Sequence, residues 1–438
     1  MTVIRHESKK NKAVSDRFGI PFGYPHIVGT YLAINAVPDI WMLVDSADCA
    51  TLRAEIIHDN HDWNSTLISE DGHYRIAATG VCPHSIALDR YDDLRENIAA
   101  IGNAPGSFLF VYPAPVTAIV GIDYSVVIKQ LQGQMNLKAI TVSPVDAVGD
   151  WLTGYAHIME VLAREVELPD SQLDEDAVAL VGYLWDRNEG DHRASLAELR
   201  GLMDALDLDV ASVWFSGRDT TALQEVARAG TIVELPYAGR AAEILAERTG
   251  ARVVKAPGLP IGLDGTFSWM EKMGELTGRS GQARAFIEAQ APAAYQKVTK
   301  AVLHHFVGKD FMIATEPHVC TGVAAMVREF GGNVRLAAPA GKTVGDLTRF
   351  AEQVLQDSSL EVVGTELTRT AEHCSLPVLI GNVRAIASAG PMPIVVVPLG
   401  FQSGGTHYLH DTPFLGLAGT YSLIDRIANA VNLAIMRS

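Results

Sequence analysis

Of the four cysteines in this 438-residue chain, two stand in turns and two in apolar helical runs. Cys49 lies in LVDSADCATL, where an apolar strand meets an acidic turn holding Asp45 and Asp48. Cys82 lies in IAATGVCPHS, again just after a short apolar strand and a glycine turn. Thiolates in Gly- and Pro-rich turns suit iron–sulfur clusters, because backbone N–H groups there can hydrogen-bond the sulfurs. A four-iron cluster takes four thiolates, and a symmetric dimer would supply them by placing each pair at its two-fold axis. The competing reading is two buried structural thiols, since free cysteine is among the most buried residue types. Cys320 in EPHVCTGVAA and Cys374 in AEHCSLPV have apolar helical neighbours and read as core thiols. His318 and His373 close by would make a second site only if the fold brought a base onto a thiol.

Other motifs carry less. APAGKTVGD contains Gly341-Lys342-Thr343, the tail of a phosphate loop, but position 336, where the first glycine must stand, is Leu. No G-x-G-x-x-G follows a strand, so a standard dinucleotide fingerprint is missing. His26 in FGYPHIVG and His407 and His410 in GGTHYLHD stand in glycine-rich loops, where a polar side chain could face a cavity or simply the surface. KAPGLPIGLDGT reads as a pocket wall or a rigid turn.

The elements that would carry these residues alternate. DIWMLVDS runs into CATLRAEII, SFLFVYPAP into AIVGIDYSVVIKQLQGQM, and LKAITVSPV into WLTGYAHIMEVLAREV. Short β-rich apolar runs separated by helical periodicity imply parallel sheets covered on both faces. The acidic stretch ELPDSQLDED breaks the pattern, which restarts with strands AVALVGYLW, VASVWFSG, TIVELPY and ARVVKAPGLPIG. After the long helix SGQARAFIEAQAPAAYQKVTKAVLHHFVG come strands DFMIAT, NVRLAAP, LEVVGTE, PVLIG and IVVVPLG. The expected class is α/β, with three Rossmann-like doubly wound domains and parallel sheets. These are an N-terminal domain 1–170 carrying the cluster cysteines, a middle domain 171–280 and a C-terminal domain 281–438. Ligands of such sheets bind outside the carboxyl ends of strands, which is where Cys49 stands.

Composition narrows the class. A net charge of −16 argues against nucleic acid as the main partner. Four cysteines in a chain of this length are no disulfide framework, and no CxxC offers the common zinc spacing. The polar, basic start MTVIRHESKKNKA has no apolar core of a secretory signal, and no apolar run reaches the roughly 18 residues of a membrane span. A soluble cytoplasmic protein is expected.

The layout resembles the component-1 proteins of nitrogenase and their relatives, the light-independent protochlorophyllide and chlorophyllide reductases. MLVDSADCATL resembles the family segment that supplies a cluster cysteine, and FVYPAPVTAIVGIDYSVVIKQL its Cys-Pro…Gly-Asp-Asp strand–turn–helix. AAEILAERTGARVVKAPGLPIGLDGTFSWMEKMGELTG and FQSGGTHYLHDTPFLGLAGTYSLIDRIAN resemble two later family segments, so the likeness runs over about residues 20–435. It implies an iron–sulfur cluster, [4Fe–4S], at a subunit interface, in a homodimer or a heterotetramer with a paralogous subunit. It implies electrons delivered by an iron protein resembling nitrogenase reductase, with ATP hydrolysed by that partner and not by this chain. Cys49 falls on a family cluster cysteine, and Cys82 follows the next strand; Asp45 or Asp48 would add an oxygen ligand.

Family cysteines are missing near Gly23 or Tyr24 and near Pro115, which departs from a six-cysteine double cluster. The thiolate that holds nitrogenase's catalytic cofactor would fall near Pro236, so dinitrogen reduction is not expected. The resemblance then points to a reductase of a small organic substrate, in the tetrapyrrole-reducing branch or in another branch of the family. His26, His407 and His410 would be its pocket groups, as proton donors or axial ligands to a tetrapyrrole metal. The alternative is a non-catalytic scaffold or cofactor-assembly protein, or one half of a heteromeric reductase.

Overall fold

The computed structural model describes residues 20–69, 71–142, 149–342, 347–356 and 358–437. The start of the chain, read above as no secretory signal, and Thr343 of the discarded phosphate loop lie outside them.

Apolar runs form the strands. β1 (Ile40–Asp45) and β3 (Phe108–Pro113) are buried at every position, as strands covered on both faces must be. With β2 (Ile76–Ala78) and β4 (Lys138–Thr141) they make an all-parallel sheet of order β2-β1-β3-β4. Leu94 and Ile98 from helix Tyr91–Gly102 pack with Val127 and Leu131 from helix Tyr124–Leu131 against Leu43, Leu109 and Val111. β5 (Asp174–Val181), β6 (Asp209–Val213), β7 (Ala229–Glu234) and β8 (Arg252–Lys255) form a second parallel sheet, order β6-β5-β7-β8. β9 (Asp310–Ala314), β10 (Asn333–Ala337), β11 (Gln353–Val354), β12 (Val378–Gly381) and β13 (Val395–Pro398) form a third, order β11-β10-β9-β12-β13. The molecule is α/β with three parallel sheets. In each, the first strand in sequence is internal, and the chain leaves it first to one side and then to the other. That reversal opens a crevice at the strand's carboxyl end.

The chain divides into two compact units. One consists of Pro25–His192 and Asp207–Ala256 and holds the first two sheets; the rest of the described chain holds the third. Within the first unit, helices His26–Ala36 and Trp151–Glu165 touch backbone to backbone. A Cβ on Gly29 would lie 1.6 Å from the Trp151 carbonyl oxygen, and one on Gly154 would lie 2.0 Å from that of His26. Only glycine permits that approach.

Three local expectations change. LEVVGTE is no strand but part of helix Leu360–Ala371, started by Ser359, whose hydroxyl accepts the Val362 N–H. The run AIVGIDYSVVIKQLQGQM is not one helix. Helix Pro115–Ala118 stops, Gly121 takes φ +76°, and Asp123 caps a new helix, Tyr124–Leu131. The strand expected over AVALVGYLW ends at Val181, before Gly182 at φ +101°.

Candidate functional site

Cys49 is the first residue of helix Cys49–Asn60, directly after the turn that leaves β1, and it is exposed. The N-terminal end of a helix presents backbone N–H groups and the positive end of its dipole to whatever that side chain binds. Cys82 is also exposed and lies on the loop that leaves β2, the neighbour of β1. The reading of these two as buried structural thiols therefore fails. Their turns are stitched together: Thr79 N–H donates to the Val44 carbonyl (3.0 Å), and Val81 N–H to that of Ser46 (3.0 Å). Gly80, at φ +69°, passes so close to Asp48 that a Cβ would lie 3.1 Å from its Oδ1. Asp48 itself is exposed beside Cys49, with its side chain making no cap to the helix.

The Cys82 sulfur sits in a small nest. The Ser85 N–H donates to Sγ at 3.4 Å, and the Ser85 hydroxyl lies 3.5 Å from it. The hydroxyl first, then the N–H groups of Ser85 and His84, hold the thiol below its ordinary pKa. Donors aimed at a sulfur stabilise the thiolate, the form that ligates metal.

Asp45, expected among the oxygen ligands, is instead wholly buried at the end of β1 with both oxygens engaged. Oδ1 accepts from the Thr79 hydroxyl at 2.6 Å; Oδ2 accepts from Arg90 at 3.0 Å and from the Tyr124 hydroxyl at 2.5 Å. Arg90 closes a second bond to Oδ1. Burial pushes this carboxyl up, yet the bonds from Arg90, Thr79 and Tyr124 hold it below the usual carboxylate range. Among the described residues, no group of three or more His, Cys, Asp or Glu could hold a metal ion. This edge thus offers two exposed thiols, one with N–H donors directed at it. That donor set fits half of a four-iron cluster completed by a second chain.

The histidines scatter. His26 is no loop residue: it begins helix His26–Ala36 and is buried, its Nδ1 3.1 Å from the Tyr112 hydroxyl and its ring edge-on to His157. His407 is half-buried and His410 exposed on the loop after β13, in the other compact unit. Cys320 is a core thiol, fully buried and pushed far up in pKa by that burial. Cys374 is only half-buried, not a core residue, and the nearby His373 ring bonds the Arg369 carbonyl at 2.8 Å instead.

One polar cluster escaped the sequence reading. WDRNEGDH, after β5, is buried almost throughout. His192 bridges the Tyr183 hydroxyl (2.9 Å) and Asp186 (2.8 Å), and Arg187 pairs with Asp186 (2.7 Å) and Asp191. Burial would raise Asp186, but Arg187 and His192 hold it low, while His61 beside them is pushed down to about 3 by burial. Asp62 accepts from Asn35 (2.9 Å) and from both the backbone and side chain of Asn188 (2.9 and 3.0 Å). The available signal was a run of charges directly behind an apolar strand at a sheet's reversal point.

Residues 27–432 match the family described as nitrogenase component 1 type oxidoreductase. The structure of nitrogenase Cp1 at pH 6.5 superposes with a TM-score of 0.75 at 15% identity, over 96% of this chain and 94% of that one. Nitrogenase Cp1 at pH 5 gives a TM-score of 0.66 at 13% identity, over 96% and 91%. Among curated proteins, none matches this chain. At these identities the structures speak for the fold, and the family match over most of the length speaks for kinship. The chain belongs to the nitrogenase component 1 type oxidoreductases.

Proposed function

We propose that this chain is the iron–sulfur component of a nitrogenase-like reductase, with Cys49 and Cys82 as ligands of a [4Fe–4S] cluster shared at a subunit interface. The observation that carries this reading is the pair of exposed thiols on adjacent strand ends, one of them cradled by N–H donors. The cluster would supply one-electron transfer. The chain's own part is to present the sulfurs, exclude water by burial against a partner and hold the substrate. Exposed apolar residues on the segments after β1, β2 and β3, namely Leu52, Leu88, Val116 and Ile119, support an interface there. An ATP-hydrolysing iron protein supplies the electrons, and a small organic molecule, of the tetrapyrrole class, receives them. The buried Asp186–His192–Tyr183 chain outside β5 stands where substrates of such sheets bind.

Iron and acid-labile sulfide per chain, in protein purified without oxygen, test the reading. About two irons per chain correspond to one four-iron cluster per dimer, and Cys49→Ser or Cys82→Ser should abolish them. Folded protein without iron overturns it for this chain alone. The vacant positions Gly23 and Pro115 favour a second reading, one half of a heteromeric reductase or a cofactor scaffold. Recovery of iron only after co-expression with a paralogous, cysteine-richer chain would select it.

A further inference from the structure

The buried ion pair beside the two cysteine turns has a role that burial alone does not explain. Asp45 receives the Thr79 hydroxyl, Arg90 and the Tyr124 hydroxyl on its carboxylate. Its backbone carbonyl accepts the Thr117 hydroxyl at 2.6 Å and the Ala114 N–H at 3.2 Å. Thr79 in turn accepts the Ser46 N–H at 3.2 Å. Every partner therefore lies on a segment that leaves the carboxyl edge of the sheet, or heads the helix that follows one. Two of those segments carry Cys49 and Cys82. Removing a buried charge from water is costly, and a hydrophobic pair of similar volume would hold a sheet edge at least as well. A buried carboxylate that takes Thr79 and Arg90 from the Cys82-bearing segment and Tyr124 from the segment after β3, with Thr79 also bonded to Ser46 beside the Cys49 turn, specifies the relative position of these segments, which apolar packing does not.

We infer that Asp45, through Arg90, Thr79 and Tyr124, is a positioning residue that locks the Cys49 and Cys82 turns into one rigid edge and sets the charge beside them. This deepens the cluster reading and rests on it. The charge consequence is specific. With Asp45 ionised, Arg90 is neutralised; Asp45→Asn leaves one positive charge buried beneath the edge from which the two cysteine turns leave. A positive charge favours the reduced, more negative state of a cluster, so its reduction potential rises.

The test compares full-length wild type with Asp45→Asn and, should that variant fail to fold, Thr79→Val. Hydrogen exchange of peptides covering 46–52 and 79–88 reads the turns in cluster-free protein. Iron content and cluster reduction potential read the loaded protein. Expected is exchange faster by about tenfold in both turns of Asp45→Asn, with peptides of β5 and β7 unchanged. Iron per chain should fall at least twofold, and the clusters that remain should have a raised potential. Thr79→Val, which leaves the charges in place, should loosen the turns without moving the potential. Wild-type exchange, iron and potential in Asp45→Asn would overturn the inference, as would a uniform acceleration across all peptides, which marks an ordinary structural ion pair. Wild-type protein without iron overturns the cluster reading instead, and the exchange of the two turns still decides whether Asp45 holds them.

Discussion

At Cys82, reactivity is set by neighbours three residues away in sequence. The Ser85 hydroxyl and N–H groups lower the thiol's pKa, so more of it is thiolate at neutral pH. Ser85→Ala removes the largest of those contributions. The pH midpoint of Cys82 alkylation, followed by mass spectrometry in cluster-free protein, should shift upward and its rate near pH 7 fall several-fold; an unchanged midpoint would separate the serine from the sulfur. Asp62 is a second residue on which much converges, since its carboxylate is buried and takes three bonds from Asn35 and Asn188. Asp62→Ala leaves those donors unsatisfied and should cost about 3 kcal/mol, read as a lowered urea midpoint.

Among the elements, helix Leu263–Thr277 is started by a residue from another helix. Glu329, from helix Pro317–Glu329, accepts the Asp264 N–H at 3.1 Å, and a Cβ on Gly262 would lie 2.7 Å from its other oxygen. Burial outweighs these N–H donors and pushes the Glu329 carboxyl up to about 8. Its folded value lies above that of an unfolded glutamate, so the fold prefers the protonated form. That contribution is fully present below about pH 4 and is lost as pH rises through about 8. Thermal stability should therefore decline over this window in wild type and decline less in Glu329→Gln, by roughly 2 kcal/mol at the alkaline end after solvent screening of a half-buried group. Parallel melting curves of the two proteins across the window would remove Glu329 as the source. Elsewhere the elements repeat one arrangement: the segments after β1, β5 and β9 hold Cys49, the Asp186–His192 cluster and the buried Thr315–Glu316 pair. Each follows the strand at which its sheet reverses direction.

For the whole molecule, the proposed interface turns on apolar side chains left in water. Ile119 is 86% exposed, just beyond β3 on the edge that carries the two thiols. A charge there should weaken self-association without touching the fold of one chain. Ile119→Asp is expected to shift sedimentation toward monomer and to lower iron per chain, while the circular dichroism of the monomer stays that of wild type. A wild-type dimer with full iron would move the interface off this edge. Among the described residues, no helix is long and apolar enough to cross a membrane.

Local signals were legible from residue order. Apolar runs as short as IWMLVD and FLFVYP can be buried strands only between helical layers, so alternation alone implied the parallel α/β class and, with the family's segments, the kinship. The two cysteine turns were visible for the same reason, since a thiol directly behind a strand must emerge at its carboxyl end. What required the folded chain was everything set by partners distant in sequence. Asp45 resembled a free ligand until Arg90, 45 residues on, claimed it. LEVVGTE has the β-branched content of a strand, but Ser359 caps it as a helix that packs Val363 and Leu367 into the third sheet's core. WDRNEGDH looks like a solvated loop, yet its charges pair with one another, Arg187 with Asp186 and Asp191 and His192 with Asp186, while Asp62 ties down Asn188, so it is buried. Periodicity and turn chemistry act over a few residues, whereas burial, pairing and the exposure of Cys49 and Cys82 depend on which strands become neighbours.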